Sequence, residues 1–267
     1  MMKDITLGQY FPGETVVHKL DPRTKLILVL VFIVALFSAV SWVSYALMFA
    51  ITAACIAVSK IRPKTLLRGL KPLIFIILLT AILNVFYTQG TPIFELWIFK
   101  PTWEGLQRAF FMVLRIMLLI CGTFLLTYTT SPLALTDGME VLFGPLKKIK
   151  VPVHEMSMMM SMALRFIPTL VEETDKIMSA QRARGADFET GKLTDRAKAL
   201  LPLLVPLFVS SFRRADELAV AMESRCYHGG EGRTRMKQLK MQTRDWIAFL
   251  LSALVLAAVF VLRGYGL

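Results

Sequence analysis

The chain has 267 residues, 55% of them hydrophobic and 19% charged, with a mean hydropathy of +0.59, which is too apolar for an ordinary water-soluble domain. Lys and Arg outnumber Asp and Glu 31 to 19, a formal charge of +12. Long apolar runs make membrane topology, not nucleic acid, the expected reason for that excess, because cytoplasmic segments beside spans collect Lys and Arg.

The chain begins Met1-Met2-Lys3-Asp4 and carries acids and a Pro-Gly turn before its first apolar run. That is unlike a cleaved signal peptide, so the first run is expected to be a retained anchor. Leu26 to Trp42 and Val43 to Ser59 are each close to the ~20 residues that cross a bilayer as a helix, and together they read as a hairpin with a short turn around Ser41 to Ser44. The next segment holds Lys60, Arg62, Lys64, Arg68 and Lys71 without an acid, which predicts a cytoplasmic loop.

A third span is predicted from Pro72 to about Thr88. The loop from Gln89 to Glu104, with Glu95, Lys100 and Glu104, is expected outside. A fourth span runs from about Gly105 to Tyr128, and a last one from Trp246 to Leu262. The expected fold is therefore all-α: a polytopic membrane protein with about five transmembrane helices, the N-terminus inside. It divides into 1–130 with four spans, a cytoplasmic helical insert at 131–245, and a final span at 246–267.

Within the insert, the apolar patches Val151 to Leu170 and Leu200 to Phe212 are interrupted by His154, Glu155 and Arg165 in the first and Pro202 and Pro206 in the second. Core or membrane-surface helices are expected there, not further spans. A helix starting near Pro152 sets Met156, Met159, Met160, Ala163 and Ile167 on one face. That face is either a core stripe or, because methionine is unbranched and adaptable, a surface for partners. Pro168 is expected to bend or restart the helix.

Thr169 to Arg184 then carries Glu172, Glu173 and Asp175 early and Arg182 and Arg184 late, followed by Gly185, an order that suits the helix dipole and a glycine C-cap. A second such helix is predicted from about Ser210 to Cys226. Aligned on their final arginines, Asp175, Ile177, Ala180 and Arg184 match Asp216, Leu218, Ala221 and Arg225. Neither arginine has an acid three or four residues earlier, so each guanidinium is free to engage a carboxylate or carbonyl on another protein; the plainer reading is a favourable charge at a helix C-terminus.

Arg108 and Arg115 fall on one face of the fourth span, with no deep acid in another span to pair with. A structural role is expected for Arg115, through Asn84 or backbone carbonyls. His18 and His154 have no ligand constellation, and Cys55, Cys121 and Cys226 have neither metal spacing nor a disulfide pattern. The chain lacks a phosphate-binding Gly-Lys-Ser/Thr loop, an HExxH pair and a GxSxG elbow, and its spans lack the acids of a proton relay. These absences disfavour an ATPase, a stand-alone carrier and a membrane-embedded lipid enzyme. The only acidic group near such a role, Glu172, Glu173 and Asp175, suits a helix N-terminus better.

Gly8-Gln-Tyr10, His18-Lys-Leu-Asp21-Pro22-Arg23-Thr-Lys25-Leu26, Arg165-Phe-Ile-Pro168, Ala180-Gln-Arg-Ala-Arg184-Gly185 and Ala221-Met-Glu-Ser-Arg225-Cys226-Tyr227, in this order, resemble the transmembrane component of energy-coupling factor transporters. These are ABC-type vitamin and micronutrient importers. The resemblance implies that Ala183-Arg184-Gly185 and Ser224-Arg225-Cys226 dock two cytoplasmic ATPase subunits, which bind the ATP, so the chain itself needs no cofactor. It also implies that Met156, Met159, Met160 and Ala163 contact a small substrate-binding membrane subunit. Ser-Arg-Cys departs from the Ala-Arg-Gly of the first motif, and termination of the second helix is expected a little later, at Gly229 and Gly230.

Overall fold

The computed structural model describes residues 10–88, 91, 102–186, 188, 193–229 and 238–265. Gly8, Gln9, Glu95, Lys100 and Gly230, which the sequence reading used, lie outside them. The described residues are helical, and the chain forms two compact units, one from 8–138 with 239–267 and the other from 139–238.

In the first unit, α1 (Pro22–Ser38) starts where Asp21 accepts the amide of Arg23 and Pro22 fills the first turn. It therefore begins and ends earlier than the apolar run suggested. α2 (Trp42–Ser59) is capped by Ser41, whose hydroxyl accepts the amide of Ser44. The basic segment expected as a loop is instead α3 (Pro63–Leu70), with Leu66 and Leu70 buried among exposed Lys64 and Arg68. Lys and Arg are good helix formers, and two apolar side chains one turn apart are enough to seat it.

A 3-10 turn at Lys71–Leu73 joins α3 to α4 (Ile74–Tyr87), and α5 (Trp103–Thr129) follows. After α6 (Pro132–Leu142), the chain returns to this unit for α9 (Thr243–Gly264). In the other unit lie α7 (Val153–Ala183) and α8 (Leu193–Glu223).

Among the described residues, four stretches are long and apolar enough to cross a bilayer: α2, the continuous Pro63–Tyr87, α5 and α9. α1, expected as the first of about five spans, is not among them; its 17 residues rise about 26 Å against a hydrocarbon core of ~30 Å. It packs beside α5 and α9 and contributes Ala35, Leu36 and Ala39 to a core completed by Tyr45, Met48, Leu118 and Val259.

Pro168 was expected to bend or restart its helix, and Pro202 and Pro206 interrupt the second apolar patch of the insert. α7 runs unbroken through Pro168, and α8 through Pro202 and Pro206. Each proline forfeits one backbone bond, which packing of one helix on another can offset. Pro206 has no amide to give the carbonyl of Pro202, and that carbonyl instead accepts a long 3.5 Å bond from Gln181 of α7.

Candidate functional site

The unit containing α7 and α8 is held by side chains that the sequence reading assigned otherwise. Glu172, Glu173 and Asp175 were expected at a helix start, but α7 is continuous and they sit in its interior. Glu173 accepts from Arg214 of α8 at 2.8 Å and from the hydroxyl of Ser210, while Arg214 lies 5.7 Å from the ring of Phe166. A carboxylate shared by a guanidinium and a hydroxyl fixes register between two helices, because each donor comes from a different turn of α8. His154 meets Glu140 at 2.9 Å, a structural contact as expected.

The two arginine ends share one geometry. At the end of α7, Arg184 N–H bonds the carbonyl of Gln181, Gly185 N–H bonds Arg182, and Ala186 N–H reaches back to Gln181. At the end of α8, Arg225 N–H bonds Met222, Cys226 N–H bonds Glu223, and Tyr227 N–H reaches back to Met222. The offsets are the same, and the six-to-one bond marks both as Schellman ends. Such an end needs a left-handed residue, supplied by Gly185 at φ +89° and by Cys226 at φ +55°.

Termination of the second helix is thus at Cys226 itself and not at the later glycines; Gly229, at φ +96°, belongs to the following segment. Ala183, Arg184, Gly185, Ser224, Arg225 and Cys226 are all exposed, and neither Arg184 nor Arg225 has a side-chain partner among the described residues. The Ser224 hydroxyl bonds back to the carbonyl of Ala221. Each arginine therefore projects from a fixed backbone hook with its donors open.

The methionine face is open as well. Met156, Met159 and Met160 are 54%, 59% and 51% exposed and Ala163 is exposed, whereas Val153 and Ser157 are buried. Within this chain the face is not a core stripe. On α8, Leu201, Val205, Phe208 and Phe212 form a second exposed apolar row at helical spacing. Exposed apolar side chains in such rows mark contact surfaces for protein or lipid.

In the first unit, the segment around Asp21 is a polar clamp that the sequence reading left without a role. Asp245, at the start of α9, accepts the amides of Asp21 and Gln242, each at 2.8 Å. Asp21 pairs with Arg23 at 3.1 Å, and Arg23 also reaches the carbonyl of Leu239 at 2.8 Å. Lys25 donates to the carbonyls of His18 and Thr129 and to the hydroxyl of Thr130, at 3.2, 2.9 and 3.1 Å. Gln242 with Asp245 three residues later, just ahead of an apolar run, is a capping-box pattern that signals the start of α9, though not its link to Asp21.

His18 is structural, as expected. Its Nε2 faces the carbonyl of Phe11 at 3.1 Å, which makes Nε2 the donor and leaves Nδ1 to accept from Thr15 at 2.6 Å. Burial lowers its pKa from the ordinary value, the Phe11 carbonyl opposes that, and nearby Lys25 adds to it. Arg115 bonds a backbone carbonyl, that of Ala39, and also Tyr45, whereas Asn84 turns to Thr80 of its own helix. Among the described residues no cluster could hold a metal ion.

Residues 13–236 match the family described as Cobalt transport protein (CbiQ). The chain is 56% identical to the energy-coupling factor transporter transmembrane protein EcfT of Clostridium kluyveri over 265 residues, 98% of this chain and 97% of that one. The chain belongs to this transporter family. The protein of the same name from Thermosediminibacter oceani is 55% identical over 254 residues, 95% of this chain and 96% of that one. That from Bacillus subtilis is 50% identical over 266 residues, 99% of this chain and 100% of its own length. The family match takes in both arginine ends, the methionine face and the Asp21 to Lys25 side of the polar clamp, so these features belong to a membrane transport protein.

Proposed function

We propose that the chain is the non-catalytic coupling subunit of an energy-coupling factor importer, passing ATP-driven motion of two cytoplasmic ATPases to a substrate-binding membrane subunit that takes up a vitamin or micronutrient. Arg184 and Arg225 each enter a groove of one ATPase. Met156, Met159, Met160 and Ala163 meet the substrate-binding subunit. The 139–238 unit and the N-terminus face the cytoplasm, in keeping with the basic residues from Lys60 to Lys71.

The observation that supports this best is the pair of matched hooks, each presenting an exposed guanidinium on the same backbone geometry. Two like subunits closing on ATP need two like handles, and a rigid hook transmits displacement where a frayed end would absorb it. Glu173, Ser210 and Arg214 link the two helices, so a push at one hook is felt by the other helix. ATP chemistry resides in the ATPases, and this chain supplies docking and leverage.

The test is to replace Arg184 and Arg225 with Glu, singly and together, in the co-expressed transporter. Vesicle uptake is expected to collapse, and the ATPases to co-purify least with the double variant. Full uptake with both charges reversed would sink the docking assignment.

A further inference from the structure

One cavity of the membrane unit is not used by the coupling reading. It measures about 500 Å³ and lies where α2, α4 and α5 meet, lined among others by Asn84, Glu104, Arg108 and Arg115. Arg108 and Arg115 stand two turns apart on α5, and helical side chains lean toward the helix N-terminus, which carries the Arg115 guanidinium toward Arg108.

The bonds already made there leave charge over. Arg115 Nε donates to Tyr45 at 2.9 Å and Nη2 to the carbonyl of Ala39 at 3.2 Å, and the rings of Phe37 and Tyr45 lie 5.5 and 5.8 Å from its Cζ. These partners are neutral, and three of the five guanidinium donors remain. Arg108 is exposed and makes no side-chain hydrogen bond among the described residues, and its charge acts on the carboxylate of Glu104 one turn earlier. The carboxylate of Glu104 takes the amide and hydroxyl of Thr91 at 2.9 and 3.1 Å. Among the described residues, two guanidiniums against one carboxylate leave the cavity lining one positive charge in excess.

The depth suits a headgroup. Trp42, at the start of α2, stacks on Phe110 at 5.1 Å, and Arg115 bonds Ala39 at the end of α1, so the guanidinium is level with the hairpin turn and not with the middle of the bundle. Trp42 is exposed at that turn, as side chains of a membrane interface are. Val40 and Met112 are exposed in the cavity lining and offer an apolar path for acyl chains.

We propose that this cavity binds the phosphate of an anionic phospholipid from the leaflet at the α1–α2 turn, held by Arg115 and Arg108 with the Asn84 amide. A net positive cavity bordered by exposed apolar side chains fits an amphiphile carrying one negative charge. A small soluble anion would leave the apolar border unused.

The test is native mass spectrometry of the full-length protein in detergent, titrated with phosphatidylglycerol, phosphatidylcholine or inorganic phosphate. One phosphatidylglycerol is expected to bind roughly tenfold more tightly than phosphatidylcholine, and Arg108→Gln or Arg115→Gln to weaken it by roughly tenfold each. Arg108→Gln is the cleaner variant, because its side chain makes no bond on which folding could depend. Arg263→Gln, in the last turn of α9 and away from the cavity lining, is expected to bind as the parent does. Equal retention by both cavity variants, equal loss in Arg263→Gln, or equal affinity for phosphatidylcholine would overturn the proposal. Displacement of the lipid by inorganic phosphate at comparable concentration would overturn it in favour of a free-anion site.

Discussion

In the unit formed by 8–138 and 239–267, charges at helix ends turn inward. Asp21, Lys25 and Asp245 are 7%, 5% and 1% exposed, and each is hydrogen-bonded, Asp21 to Arg23 and Asp245, and Lys25 to Thr129 and Thr130. In the 139–238 unit they turn outward. Arg184 and Arg225 are exposed on rigid ends, and rows of methionine, leucine and phenylalanine lie open along the same two helices. Burial of a charge is tolerated only where it is fully bonded, so the first arrangement is a finished one. The second is complete only when other molecules cover it, and stability and assembly should therefore fail separately when each is attacked.

The sharpest break comes from Asp245→Ala. It frees the buried amide of Asp21 and the capped amide of Gln242 and removes the charge opposite Lys25, which should cost about 3 kcal/mol and appear as a lower unfolding temperature of the purified protein. Glu173→Gln attacks the other unit. Weakening its charged bond to Arg214 should cost about 1 kcal/mol, seen as faster amide exchange in α7 and α8 while α1 and α9 keep their protection.

A smaller effect separates the units by pH. His18 titrates below its ordinary value because it is buried, so the unfolded chain takes up the proton first as pH falls. The stability from neutral His18 is present above about pH 6.5 and declines below it. His18→Gln should flatten that decline in thermal melts between pH 7.5 and 5. The smallest expected change in stability is from Met156, Met159 and Met160 to Lys together, within about 0.5 kcal/mol because all three are exposed. The same variant should release the substrate-binding subunit on co-purification while the ATPases stay. Loss of the ATPases instead would place the face in the ATPase contact.

Length and apolarity made the long helices legible, since a run such as that ending at Tyr128 has few other stable solutions in a bilayer. Local signals misled wherever tertiary packing outweighed them. Pro168 read as a bend or restart, yet α7 continues through it, and α8, expected from about Ser210, begins at Leu193 and runs through Pro202 and Pro206, where the carbonyl left open at Pro202 is met by Gln181. Lys60 to Lys71 read as a loop from its charge, although Leu66 and Leu70 anchor a helix there. Both arginine ends were visible from their matched residues. What the pattern concealed was that Cys226 takes the turn made by Gly185, because composition favours glycine in a left-handed position without requiring it. The clamp around Asp245 joins residues far apart in sequence, which no local window relates.

Cys226 also gives the molecule a native reporter. It is the exposed one of the three cysteines, the other two being partly covered within α2 and α5, and it adjoins Arg225. A thiol-reactive fluorophore attached there would sit beside one docking hook and far in sequence from the other, so its emission could follow an individual ATPase arriving and leaving during turnover without any residue being engineered in.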